Sequence, residues 1–166
     1  TEEDLLITNG KEPVALAGVM GGANSEVTEE TTTVLLESAY FNGITIRKTS
    51  KYHGLRSEAS SRFEKGVDPE RVRLAAERAA ELMVELAGGE IVDGIAEFDE
   101  LETEPVEIQI KLGKMNRFLG TELTEDEVAG ILDRLQFPYQ MNGESVTVRI
   151  PSRRWDLAIP EDLYEE

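Results

Sequence analysis

The chain has 166 residues, 40% apolar and 31% charged, with a formal charge of −17 and no cysteine. That length makes one ordinary domain or two small ones, with a modest core. The charge argues against tight independent binding to nucleic acid, the missing thiols exclude disulfides and thiolate metal sites, and no apolar run reaches membrane-spanning length.

In chain order, residues 4–7 and 13–17 are short apolar runs on either side of Asn9 and Gly10, a strong hairpin signal. The second run leads into GVMGG at 18–22. Glycines so spaced permit positive φ and close approach of a ligand to the backbone, and they equally mark a tight turn after a strand. The lysine and hydroxyl of a phosphate-binding loop are missing, so ATP is not expected here. Residues 32–38 (TTVLLES) predict a strand with Glu37 at its end. Such a carboxylate is either solvated at a sheet edge or set over a pocket, where it accepts hydrogen bonds from a ligand. Tyr40, Phe41 and Asn42 follow, and the type of segment 43–50 stays open.

Residues 52–69, YHGLRSEASSRFEKGVDP, are the most distinctive stretch and hold the only histidine, His53. Leu55, Ala59 and Phe63 fall four apart and give one apolar seam in an otherwise polar run. It reads as the wall of a site, or as a solvated helix with an ion pair of the Glu58–Arg62 kind. Asp68 and Pro69 then suit a helix start. Val72, Ala75, Ala76, Ala79, Ala80, Met83, Leu86 and Ala87 recur at helical spacing, and Gly88 and Gly89 close the helix. Its alanine-rich face predicts close packing against a neighbour. Residues 90–98 (EIVDGIAEF) predict a strand interrupted by Gly94, and the acidic run 99–105 makes the best domain boundary.

Beyond it, residues 106–112 (VEIQIKL) alternate as a strand does. A short helix is expected over 116–119, ended by Gly120. A capping box at 124–127 opens another whose buried face is Val128, Ile131, Leu132 and Leu135. Residues 139–141 and 145–150 flank Asn142 and Gly143 as a hairpin. Strand, helix, helix, hairpin is the order of a winged helix-turn-helix, but Glu125, Asp126, Glu127 and Asp133 against Arg134 alone argue against DNA-groove reading. In the tail, Asp156, Asp162, Glu165 and Glu166 supply four carboxylates, the last three on one helical face. They suit Mg²⁺, or equally an acidic helical turn favoured by the helix dipole behind Pro160. The expected fold class is therefore α+β: a mixed α/β part over 1–99, an acidic linker over 100–104, and a small winged-helix-like domain over 105–166.

Three blocks, ALAGVMGG, LLESAYFN and HGLRSEASSRFEKGVDPER, are followed by IPSRRWDLAIPEDLYEE. Together, in this order, they closely resemble the β subunit of bacterial phenylalanyl-tRNA synthetase over nearly the whole chain. The resemblance implies a fragment of a larger protein: the C-terminal part of an editing domain that hydrolyses mischarged tyrosyl-tRNA, then a structural and interaction module. It implies a ligase of α₂β₂ form that joins phenylalanine to its tRNA in the cytoplasm, with ATP bound by the α subunit and aminoacylation residues outside this chain. It places Gly21, Glu37, Ser57 and Ala59 along the editing pocket. Ser57 stands where some members carry threonine, and a hydroxyl is kept. It places Asp156, Asp162, Glu165 and Glu166 on Mg²⁺-associated carboxylates near the α subunit. The family's editing histidine and threonine would lie upstream of Thr1, so His53 is not that histidine. The alternative is a free-standing winged-helix binding or regulatory protein.

Overall fold

A computed structural model describes residues 1–101 and 104–166. The chain divides into two compact units, Thr1–Gly94 and Ile95–Glu166.

The first unit opens with strands β1 (Leu6–Thr8) and β2 (Pro13–Leu16), antiparallel, with Ile7 opposite Ala15. The hairpin forms because Asn9 Oδ1 accepts from the Lys11 and Glu12 amides, both at 3.0 Å, and Gly10 takes a φ of 87°. A second tight turn brings β3 (Met20–Gly21) back along β2. Gly18 at that turn is required twice over. Its φ is 65°, and a Cβ there would lie 2.9 Å from Ile46 Cδ1, 3.0 Å from Phe41 and 3.1 Å from Phe63.

Segment 43–50, whose type the sequence leaves open, belongs to helix α1 (Gly43–His53). Asn42 caps it by accepting from the Ile44 and Thr45 amides, and Gly54 in the left-handed region ends it. Its inner face is Ile46, Thr49 and Ser50, and Ile46 joins Ala17 and Val19 in the small core of this unit. His53 Nε2 meets the Asp4 carboxylate at 2.8 Å, which ties the end of α1 to the first hairpin.

Helix α2 (Glu58–Phe63) follows, and the expected Glu58–Arg62 ion pair is present at 2.8 Å. The three-residue apolar seam is not continuous, because Leu55 lies ahead of the helix, past the left-handed Gly54, and is exposed. Asp68 caps a 3₁₀ turn (Pro69–Arg71) that runs into helix α3 (Val72–Ala87), ended by Gly88. Val72, Ala76, Ala79 and Ala80 are half-buried on the expected face. The close packing predicted for that face is not completed: no α3 residue is fully buried, and Leu74 and Leu86 stand exposed.

Two predicted strands are absent. Residues 32–38 and 90–98 run without regular structure, with Leu35 97% and Val92 82% exposed. A β-prone run becomes a strand only where a neighbouring strand takes its amides and carbonyls, and among the described residues neither run has one.

The second unit is built on a three-stranded antiparallel sheet in the order β4 (Glu107–Lys111), β6 (Ser145–Arg149), β5 (Tyr139–Asn142). The alternation read from the sequence holds over β4 itself, where Ile108 and Ile110 point inward, opposite Val148 and Val146, which are 0% exposed, whereas Val106 ahead of the strand is 46% exposed. Helix α4 (Leu112–Leu119) starts earlier than expected, directly out of β4, because Leu112 and Met115 turn into the same core. Helix α5 (Glu125–Leu135) carries the predicted capping box, with Thr124 and Glu127 exchanging hydrogen bonds. Val128 and Leu132 on α5, then Phe137, close the core over the sheet. Gln136, at φ 57°, ends α5, and a short helix α6 (Pro160–Tyr164) buries Leu163 and Tyr164. The strand–helix–helix–hairpin order is thus as expected, in an α+β architecture with two small antiparallel sheets. Among the described residues no helix is long and apolar enough to cross a membrane.

Candidate functional site

A cleft of about 510 Å³ opens on the first unit, within the size range of small-molecule sites. Its apolar lining comes from Ala15 and Leu16 on β2, the Gly18–Gly21 turn, Ala59 and Phe63 on α2, and Phe41 ahead of α1. The Phe41 and Phe63 rings sit 5.1 Å apart at 60°, a tilted aromatic pair in the lining. Two charged groups join this wall, Glu37 and Arg62. Arg62 already holds Glu58, whereas Glu37 is exposed and, among the described residues, has no hydrogen-bond or ion-pair partner. Gly21 also lines the cleft and has open space where a Cβ would stand, with nothing within 4 Å. A carboxylate beside an aromatic-lined apolar slot can receive a ring that carries a hydroxyl.

Three of the four sequence-assigned residues, Gly21, Glu37 and Ala59, therefore meet in one cleft. Ser57 does not line it. Its Oγ donates to the Val19 carbonyl at 2.6 Å and accepts from the Ser60 amide at 3.0 Å, while Ser60 Oγ accepts from the Ser57 amide. Ser57 is the N-cap of α2, and its hydroxyl hydrogen is spent on the strand beside the cleft. It sets the position of Ala59 rather than touching an occupant. Sequence reasoning missed Phe41 and Phe63 as a pair, and it read Arg62 only as part of the 52–69 wall or as an ion-pair partner of Glu58. Both phenylalanines flank assigned residues, and only the fold brings them together.

The tail carboxylates are arranged differently from a metal site. Arg154 grips Asp156 with two parallel bonds, Nε to Oδ1 at 2.9 Å and Nη2 to Oδ2 at 2.7 Å, and the same Nη2 also holds Glu166. This guanidinium lies over the Phe137 ring at 5.5 Å and holds the Asp156 carboxyl below its usual pKa. Arg153 beside it donates to the Leu135 carbonyl at 2.7 Å and caps the end of α5. Asp162 Oδ2 accepts the Ala158 and Ile159 amides at 2.8 and 2.9 Å, which starts α6 and likewise lowers its pKa. Glu165 is exposed.

Among the described residues no group of three or more His, Cys, Asp and Glu side chains is placed to hold a metal ion. As arranged, the four carboxylates do not fit Mg²⁺, because a resident cation and two backbone amides occupy three of them. Calorimetric titration of this 166-residue chain with Mg²⁺ is expected to show weak or no binding. A tight one-to-one site would contradict this assignment.

Comparison with known proteins places these features. Residues 1–88 match the family model of the B3/4 domain, and residues 108–166 match that of the tRNA synthetase B5 domain. The chain is 57% identical over 166 residues to the phenylalanine–tRNA ligase beta subunit of Geobacillus kaustophilus, covering all of this chain and 21% of that one. It is 58% identical over 164 residues to that of Halalkalibacterium halodurans, covering 99% of this chain and 20% of that one. The chain thus spans about a fifth of the length of these relatives. A crystallised N-terminal fragment of the phenylalanyl-tRNA synthetase beta subunit from Pyrococcus horikoshii is 20% identical over 40% of this chain and 19% of that one, at a TM-score of 0.36. The B3/4 match takes in the hairpin, α1, α2 and the whole cleft, more than half of the sequence, and the chain belongs to the B3/4 domain family.

Proposed function

We propose that this chain is part of a phenylalanine–tRNA ligase β subunit. In this reading the first unit forms one wall of the site that hydrolyses tyrosyl-tRNA, and the second unit is a structural and interaction module beside the α subunit. The observation that carries the reading is the convergence of Glu37, Gly21 and Ala59 on one aromatic-lined cleft, within the residues that match the B3/4 domain. The relatives' names supply the substrate class. The complete enzyme is then a cytoplasmic α₂β₂ ligase using ATP on the α subunit. Of the alternative, a free-standing winged-helix binding or regulatory protein, the form that reads DNA is disfavoured by α5, whose first turn is Glu125, Asp126 and Glu127.

Tyrosine differs from phenylalanine by one hydroxyl, and a site separates the two strongly only by offering that hydroxyl a partner. Glu37 is that acceptor. The ring lies along Phe41 and Phe63, and Ala59 and Gly21 leave it room. Among the described lining residues none pairs a nucleophile with a base, so the ester carbonyl is attacked by a water placed by binding. The products are tyrosine and the free 3′ end of the tRNA.

In the complete enzyme, Glu37→Ala is expected to narrow the preference for tyrosyl over phenylalanyl esters by about 1 kcal/mol, roughly fivefold. The figure sits low in the range for a lost hydrogen bond because the carboxylate is solvated when the cleft is empty. Deacylation of the two charged tRNAs side by side reads this ratio, and an unchanged ratio removes Glu37 from the role. The 166-residue chain alone, incubated with ATP, phenylalanine and tRNA, is expected to form no ester. Turnover that survives removal of trace synthetase overturns that expectation.

A further inference from the structure

Acidic residues outnumber basic ones two to one here, 34 against 17, yet residues 43–65 hold six of the basic residues and only two of the acidic ones. Two of these six have partners, Arg56 with Ser61 and Glu64, and Arg62 with Glu58, while Lys65 is exposed past the end of α2. The other three, Arg47, Lys48 and Lys51, lie on α1 opposite its buried Ile46, Thr49 and Ser50. All three are exposed, and among the described residues none has a carboxylate partner. The helix carries no acidic residue. Lys51 in the last turn suits the helix dipole, but Arg47 and Lys48 lie a turn or more inward, where that benefit has faded. Beside them Tyr52 is 72% exposed, with its ring set edge-on to His53.

Unpaired cations on one helix face with an exposed aromatic at its end make a surface for a phosphate backbone, on which a base can stack. The position of this face agrees. Ile46 on the inner side of α1 packs beneath Gly18 in the cleft wall, so the outer face lies about one helix diameter, ~10 Å, behind it. We propose that Arg47, Lys48 and Lys51 carry the sugar–phosphate backbone of the RNA whose esterified end enters the cleft. This rests on the hydrolytic reading of the cleft.

The test uses the complete enzyme bearing Arg47→Ala, Lys48→Ala and Lys51→Ala together. Two substrates are compared, tyrosyl-tRNA and tyrosyl-adenosine, the second ending at the last nucleoside and lacking a backbone. The expected result is a KM for tyrosyl-tRNA raised about tenfold at 0.1 M salt with kcat unchanged. The dependence of log kcat/KM on log salt should flatten by about 2–3, one unit or slightly less for each phosphate that the variant no longer neutralises. Hydrolysis of tyrosyl-adenosine should stay at the wild-type rate. A KM and a salt slope that match wild type for tyrosyl-tRNA overturn the proposal. So does a lowered Tm without a change in slope, because the face then docks an acidic stretch of protein. Ala59→Trp, which closes the cleft itself, separates the two readings. If that variant still hydrolyses both substrates, the cleft reading has failed; if it hydrolyses neither while the triple variant behaves as wild type, only the α1 proposal has.

Discussion

Ala59→Trp is expected to abolish hydrolysis of tyrosyl-tRNA in the complete enzyme while leaving aminoacylation intact. Ala59 sits on α2 in the wall that also holds Phe63 and Arg62, and it is exposed toward the cleft, so its substitution does not disturb packed core. An indole there fills space that the substrate ring would need, beside the Phe41–Phe63 pair already 5.1 Å apart. The loss should approach the background rate of ester hydrolysis, because a water placed by binding geometry has no function once the ester cannot enter. Deacylation of purified tyrosyl-tRNA measures it, and phenylalanyl-tRNA synthesis by the same preparation shows that the enzyme is folded. A tryptophan variant that clears tyrosyl-tRNA at the wild-type rate puts the pocket elsewhere and removes Gly21, Glu37 and Ala59 from it together.

Ile110→Ala should cost the second unit about 3 kcal/mol, a large share of what a domain of this size has. Ile110 is 3% exposed, opposite Val146 at 0%, and the sheet and helices around it leave little freedom to collapse into the cavity. Leu86→Ala on α3 is the control, since Leu86 is 80% exposed and its truncation should cost under about 0.5 kcal/mol. Urea unfolding followed by far-UV circular dichroism reads both. A midpoint for Ile110→Ala within the error of Leu86→Ala would mean that the β4–β6 face is not the core of this unit.

Local signals were legible where a few residues close a structure by themselves. Asn9 and Gly10 make the first hairpin, Asp68 and Pro69 open the 3₁₀ turn into α3, and Thr124 with Glu127 caps α5. The alternation over β4 was legible too, because one side of that strand is buried and the other is not. Residues 32–38 and 90–98 were misread because β-propensity states a fit to a neighbouring strand and carries no information on whether one is there. Segment 43–50 could not be assigned: Ile44 and Ile46 alternate as in a strand, and only Asn42 and Gly54, eleven residues apart inside their caps, show the helix.

The site was legible through resemblance more than through chemistry. Gly21, Glu37 and Ala59 are far apart in sequence, and a lone glycine, carboxylate and alanine carry no spacing rule. Their convergence depends on Gly18 letting the turn close over Ile46, Phe41 and Phe63. Ser57 shows the reverse case: a hydroxyl assigned to a pocket is consumed by a helix cap and the Val19 carbonyl. In the tail, four carboxylates within eleven residues suggested a metal, but the turn ahead of Pro160 brings Glu166 back onto Arg154, and a pairing over that distance has no sequence signature.

The most direct test of the cleft is the structure of the complete enzyme with tyrosyl-adenosine in which an amide replaces the ester, so that it binds without turnover. The account predicts the phenol ring against Phe41 and Phe63, its edge at Ala59, and its oxygen about 2.7 Å from a Glu37 carboxylate oxygen. An analogue bound away from these residues, with Glu37 still facing water, would contradict it.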